Sequence, residues 1–241
     1  MDTLSPVSTA AEIIRHLKSI GSEENRQGMK RYGIRIDRAL GITHGVQRDI
    51  ARRIKRNHER AFELWNSGIT EAQFIASLTA DPNQFTANDA RRWAAEFDSW
   101  DIVDGVADLF ANCEAWRSLI DEFAADEREF VRRAAFAMMA WATVHRKKEP
   151  DSTIAGFLPL IRQHAADPRN FVWKAVSWAL RSIGKRSMEL NKSATDLAHE
   201  LAGSPDKTTR RISKDALREL TAQKTRDAIE KREANRAKKA R

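Results

Sequence analysis

The side chains with chemical potential in this sequence are carboxylates, tryptophans and arginines. Trp100 and Asp104 stand four positions apart, so a helix through them puts an indole and an acid on one face, while Phe97, Val103, Val106 and Phe110 turn toward a core. An indole face attracts a cation by roughly 0.5–2 kcal/mol. A carboxylate beside it can stabilise positive charge developing on a sugar and orient a water molecule for attack. Arginine adds a grip on phosphate. The combination suits recognition of a cationic, π-rich group attached to a polyanion. Taken alone, the same stretch reads first as an acidic amphipathic helix with a solvated face, and Asp98, Asp101 and Asp108 are assigned to structure or solvent.

Other chemistries lack their parts. His16, His44, His58, His145, His164 and His199 form no helical pair and no grouping with cysteine, so no metal site is expected. There is no phosphate-cradling glycine loop, dinucleotide fingerprint or nucleophile elbow, which removes support for NTPase and serine hydrolase readings. Cys113 is the only cysteine, which rules out an intramolecular disulfide and fits a reducing compartment.

The elements that must position these groups are helices. Of the 241 residues, 41% are apolar and 32% charged, with only 6 prolines and 10 glycines, and segments rich in Ala, Leu, Arg, Lys and Glu dominate. An all-α fold follows. The formal charge of +8 points to an anionic partner, and nucleic acid comes before a membrane because no segment is lipid-seeking or of spanning length. From Lys224 to Arg241 eight basic and three acidic side chains give +5, with Ile229 the one large apolar residue. Residues 224–241 are therefore a basic C-terminal tail or helix extension, and 1–223 are expected to form one domain. The N-terminus lacks a secretion-signal pattern, so the expected location is cytoplasmic.

Along the chain, helices are predicted from Thr9 to Ile20, from Thr43 as a cap through Val46, Ile50 and Ile54, and from Thr70 to Leu78, with a further start at Thr86 or Asn88. Later segments run from about Glu127 to His145 and from Ile154 to Ala165. An internal repeat then appears: residues 126–135 align without gaps on 167–176, an offset of 41, matching Asp, Phe, Val, a basic residue and Ala. A weaker third unit starts at Ser204-Pro205-Asp206. That period suits HEAT-like repeats, α-solenoids whose stacked helix pairs share one core and a concave face. Trp65, Trp93, Trp116 and Trp141 are assigned to packing; Trp100, Trp173 and Trp178 are left open.

Three segments together resemble the AlkD-like family of DNA alkylation repair glycosylases, which are built from HEAT-like repeats. They are Trp100-Asp101-Ile102-Val103-Asp104, Phe130-Val131-Arg132-Arg133-Ala134-Ala135, and the run from Phe171 to Arg181 containing Lys174, Trp178 and Leu180. Met29-Lys30-Arg31-Tyr32 and Gly41-Ile42 extend the likeness more faintly, so it covers roughly residues 25 to 220.

The resemblance implies a solenoid with a concave basic cleft that hydrolyses the N-glycosidic bond of N3- or N7-alkylated purines in duplex DNA. It gives Asp104 the catalytic role, Trp100 and Trp178 the contacts to the cationic lesion and its sugar, and Arg133 a backbone contact. Arg181 and Lys174 are secondary DNA-contact candidates. No metal or cofactor is implied, nor the usual base-flipping pocket; the protein is expected to act as a monomer. Ser99 stands where relatives can carry a second tryptophan, Trp173 occupies a polar position of the third segment, and the basic tail is an addition. Two other readings use the same residues: a repeat protein that binds nucleic acid without cutting it, and a protein-interaction scaffold.

Overall fold

Polar side chains at helix starts divide the chain into short helices. In the computed structural model, which describes residues 4–239, 73% of the chain is helical and no strand occurs among the described residues. The chain forms two compact units that meet in sequence between Trp116 and Arg117.

The first unit holds α1 (Ala10–Ile20), α2 (Glu23–Met29), a 3-10 turn (Lys30–Tyr32), α3 (His44–Ile54), α4 (His58–Asn66), α5 (Thr70–Thr79), α6 (Ala87–Ala94) and α7 (Trp100–Asn112). Thr9 and Thr86 begin α1 and α6 with reciprocal capping boxes to Glu12 and Asp89, satisfying backbone N–H groups that would otherwise lack partners. Thr43 precedes α3 as expected, but its side chain makes no capping hydrogen bond. The core is aromatic: Trp65 and Trp93 are buried and stacked with ring centroids 3.9 Å apart, and Phe85 meets Trp93 edge-on at 4.8 Å.

One loop is held by a single carboxylate. Buried Glu71, in the first turn of α5, accepts the backbone N–H groups of Leu40, Gly41 and Ile42 at 2.9, 2.8 and 3.2 Å. Gly41 has φ +78°, and a Cβ there would lie 2.1 Å from the Ser22 carbonyl oxygen, so the loop needs glycine at this point. Glu71→Gln replaces an acceptor with a donor facing these N–H groups. It is expected to lower stability by about 1–3 kcal/mol, read as a shifted denaturant midpoint; an unchanged midpoint would mean that the loop finds other partners.

After α8 (Trp116–Ala125), the second unit contains α9 (Glu129–His145), α10 (Asp151–Ala155), α11 (Leu158–His164), α12 (Asn170–Gly184), α13 (Met188–Ala202), α14 (Lys207–Leu220) and α15 (Gln223–Lys239). The helix expected over Ile154 to Ala165 is two helices, broken at Gly156-Phe157; Pro159, which has no N–H to donate, sits in the first turn of α11.

The 41-residue offset is physical. Asp126 Oδ1 accepts the backbone N–H of Arg128 at 2.8 Å and its Nε–H at 3.0 Å; Asp167 Oδ1 does the same for Arg169 at 3.1 and 2.9 Å. Each corner launches the following helix, α9 or α12. The two copies are then riveted together: Arg169 donates to the Glu127 carbonyl at 2.6 Å, Arg132 pairs with Asp167 at 2.9 Å, and Phe130 lies 5.5 Å from Phe171. Burial by itself would raise the Asp167 carboxyl, but hydrogen bonds from Arg169 and Arg132 outweigh it and hold the group down at about 2. In the third copy Asp206 caps α14 through the Thr209 N–H at 2.7 Å instead, because Thr208 stands where the other corners have arginine.

Residues 223–239, the greater part of the basic segment, are the helix α15. It buries Ile229, accepts the Met188 N–H on Glu233 at 2.9 Å, and donates from Arg232 to the Lys185 carbonyl. Among the described residues no helix is long and apolar enough to cross a membrane, and no three His, Cys, Asp or Glu side chains gather as a metal site.

Candidate functional site

Helix α7 carries the acid and the ring. Both Trp100 and Asp104 are half-buried on it, one turn apart. The Trp100 indole N–H donates to the Tyr32 carbonyl oxygen at 2.9 Å, which fixes the ring against the 3-10 turn. The neighbouring acids have structural partners. Ser99 donates to buried Asp101 at 2.5 Å, Arg38 pairs with Asp98 at 2.9 Å, and Asn112 donates to Asp108 at 2.9 Å.

What sets the position of Asp104 is the residue after it. A Cβ on Gly105 would come within 2.5 Å of the Phe74 ring, so α7 approaches α5 closely enough that only glycine fits without moving that ring. Phe74 in turn stacks on the His44 imidazole, with centroids 4.4 Å apart and planes 6° from parallel. Burial lowers the His44 pKa, and the charge of Arg48 lowers it further, against the opposing pull of Asp101, Glu71 and Asp104. Burial thus favours the neutral imidazole of His44, with the Asp104 charge the smallest of the opposing pulls.

His44, Phe74 and Asp101 line a cavity of about 650 Å³ in the first unit, whose lining does not include Trp100 or Asp104. Its lining includes Met29, Tyr32, Ile34, Gln47, Phe74 and Ile102. Sequence reasoning did not reach Gln47 or Glu71. Their roles depend on loop closure around the positive-φ Gly41, and the one sequence signal was the Gly41-Ile42 pair itself.

The remaining predicted residues lie in the second unit. Trp178, on α12, is half-buried and meets Trp141 edge-on at 5.9 Å. Both line a groove of about 1,170 Å³ that also takes Lys147, Lys185, Lys224, Lys231 and Arg236, with no acidic side chain in its lining. Trp141 makes this packing contact with Trp178 and is at the same time half-exposed in the groove. Trp65, Trp93 and Trp116 are buried, as is Trp173, which lies under the Arg211 guanidinium at 4.1 Å.

Arg133 is 6% exposed and donates to the Phe171 carbonyl at 2.6 Å, holding α9 to the start of α12. Arg181 donates to the Ser177 carbonyl at 3.1 Å and pairs with Glu219 at 2.6 Å. Lys174 is exposed, its ammonium 5.8 Å from the Trp173 ring centroid. So α7 brings Trp100 and Asp104 together; α12 carries Lys174, Trp178 and Arg181, of which only Trp178 lines the groove. The first constellation can stabilise a cation and direct a water; the second can hold a polyanion and stack a base.

The profile of a family described as DNA alkylation repair enzyme matches residues 13–231. Among curated proteins no sequence matches the chain. One solved structure, described as a new family of proteins related to the HEAT-like repeat DNA glycosylases with affinity for branched DNA structures, superposes with a TM-score of 0.74 at 20% identity, covering 88% of this chain and 96% of the other. The fold is therefore similar to that of the HEAT-like repeat DNA glycosylases.

Proposed function

The chain belongs to the DNA alkylation repair enzyme family, and from that premise we propose that it is a DNA glycosylase that hydrolyses the N-glycosidic bond of N3- or N7-alkylated purines in duplex DNA. The observation that carries this reading is the pair on α7, an indole fixed by its N–H to the Tyr32 carbonyl and a half-buried carboxylate one turn later.

Alkylation at N3 or N7 makes the base cationic, so it departs as a neutral molecule and needs little help from an acid. The bond from C1′ to nitrogen breaks with its electron pair going to the base, and the sugar passes through an oxocarbenium-like state. Asp104 stabilises that charge and orients the attacking water, while the face of Trp100 attracts the same positive charge. Water supplies the new C1′ oxygen, and its proton is released to solvent. Trp178 and the lysines and arginines of the second unit's groove serve to bind DNA; of the other predicted contacts, exposed Lys174 is the most available, whereas Arg133 and Arg181 already hold protein partners.

The test is incubation with N-methylated duplex DNA and mass-spectrometric measurement of released bases. Release of 7-methylguanine or 3-methyladenine is expected. A second reading, nucleic-acid binding without base release, is favoured by one observation: the structurally similar protein is described by its affinity for branched DNA. Salt-sensitive binding of branched DNA with no base in the supernatant would replace the first reading with the second.

A further inference from the structure

The groove beside α15 holds more positive charge than the second unit uses. Some of its cations are committed: Lys185 pairs with Glu219 at 2.7 Å, Arg186 with Asp151 at 2.9 Å, and Arg232 donates to the Lys185 carbonyl. Lys147, Lys224, Lys231 and Arg236 are exposed and make no ion pair among the described residues. Like charges gathered in one groove without counter-charges repel one another, and an anion laid between them relieves that repulsion.

The arrangement of the walls restricts what that anion is. Lys224, Ala228, Lys231 and Asn235 follow one another at three- and four-residue steps, so a single stripe of α15 faces the groove. Ile229 and Glu233, one turn apart, anchor a different side of the helix, which leaves the stripe to a ligand. From Lys224 to Arg236 the cations extend along about 18 Å of helix, which suits a chain of phosphates rather than one. The facing wall is apolar: Ala140, Trp141 and Val144 come from α9 and Trp178 from α12, with both indoles half-exposed. In a duplex the bases cover one another and offer their edges, whereas an unpaired base offers a face on which an indole can stack. A row of cations opposite two indoles therefore matches a single strand, and no base has to leave a duplex to reach it.

We propose that the groove of the second unit is a binding site for an unpaired DNA strand, whose phosphates lie along Lys224, Lys231, Arg236 and Lys147 and whose bases stack on Trp141 and Trp178. The assignment rests on the reading of this groove as a DNA contact and adds to it the form of DNA that the groove takes.

The probe is a fluorescein-labelled strand of about twelve thymidines, within the roughly 4–16 nucleotides that single-strand binding folds cover; an abasic strand of the same length and charge is its control. Fluorescence anisotropy with the full-length protein is expected to show saturable binding of the thymidine strand, at least about tenfold tighter than of the abasic one. Trp141→Ala combined with Trp178→Ala is expected to remove that preference. Four phosphate contacts give a slope of about −2.8 in log affinity against log salt, and Lys224→Ala combined with Lys231→Ala is expected to flatten it to about −1.4. Both lysines are exposed, so this variant carries the test should the tryptophan variant fail to fold by thermal melting. Equal affinity for the two strands, a thymidine preference kept by a folded tryptophan variant, or an unchanged salt slope in the lysine variant would overturn the site. Base release from methylated duplex is measured in parallel: release by a protein that shows no thymidine preference removes this site and leaves the glycosylase, whereas tryptophan-dependent strand binding without release does the reverse.

Discussion

Asp104→Asn is expected to slow base release from methylated duplex DNA by at least about a hundredfold, the effect of removing one group aimed at developing charge, about 2.7–4 kcal/mol. The two side chains have nearly the same shape, so the change isolates charge. A carboxylate roughly 4 Å from a cationic sugar, at an effective dielectric constant of about 20, is worth on the order of 4 kcal/mol, and asparagine retains only its dipole. Asp104 is half-buried near the helix surface, so stability should move by less than about 1 kcal/mol. Single-turnover base release at saturating protein, with DNA binding and thermal melting as controls, separates these quantities. Equal single-turnover rates for the two proteins would take Asp104 out of the mechanism.

The largest expected effect on stability comes from Asp167→Ala. That side chain is 5% exposed and receives hydrogen bonds from both Arg132 and Arg169, whose side chains are 18% and 28% exposed. Removing it leaves two largely buried guanidinium groups without their carboxylate, and loss of one member of a buried pair costs about 3–5 kcal/mol. Arg132→Met made with it should recover part of that loss, a coupling that a double-mutant cycle measures.

The pH dependence has a definite sign. A carboxyl held at about 2 when folded, against an ordinary value of 3.8, binds fewer protons in the native state. Its contribution is complete above the unfolded value and disappears as pH falls from about 4 toward 2. Burial lowers the pKa values of His44 and His164, the latter further depressed by the charge of Arg132, so their contributions are present above about 6.5 and begin to fall below it. Asp167→Ala should therefore flatten the stability profile below pH 4, and because the Asp167 carboxylate opposes the lowering of the His164 pKa, its loss should depress that histidine further. Parallel profiles below pH 4 would show that Asp167 is not the group lost there.

What could be read from the sequence depended on how far apart the interacting residues lie. Thr9 and Thr86 announced helix starts because their partners, Glu12 and Asp89, are three positions away. The repeat was legible because Asp126 and Asp167 each bind an arginine two residues on, so the same short pattern had to occur twice. Trp100 and Asp104 were legible as a pair through helical spacing. Glu71 was not, since its donors come from residues about 30 positions earlier, nor was Gln47, whose amide N–H reaches the Ile42 carbonyl of the same loop. Trp141 has the spacing of a packing residue, and only the course of α15 shows that a groove runs beside it. The boundary at residue 116 falls at the start of α8, after a break of three residues that carries neither glycine nor proline.

The corners at Asp126 and Asp167 make the stretch between them a cassette. The residue that leads into each helix has nearly identical backbone angles, φ −68° and ψ 127° at Arg128 and φ −66° and ψ 128° at Arg169. Both corners therefore share one motif, an acid that receives the arginine two residues on, and at the first of them the Glu127 carbonyl accepts Arg169 of the second. The contacts of Arg169 with the Glu127 carbonyl and of Arg132 with Asp167 thus make the 41-residue cassette a unit whose two corners hold each other. The corner at Asp206 breaks that pattern, since threonine stands in place of arginine and the acid caps its own helix.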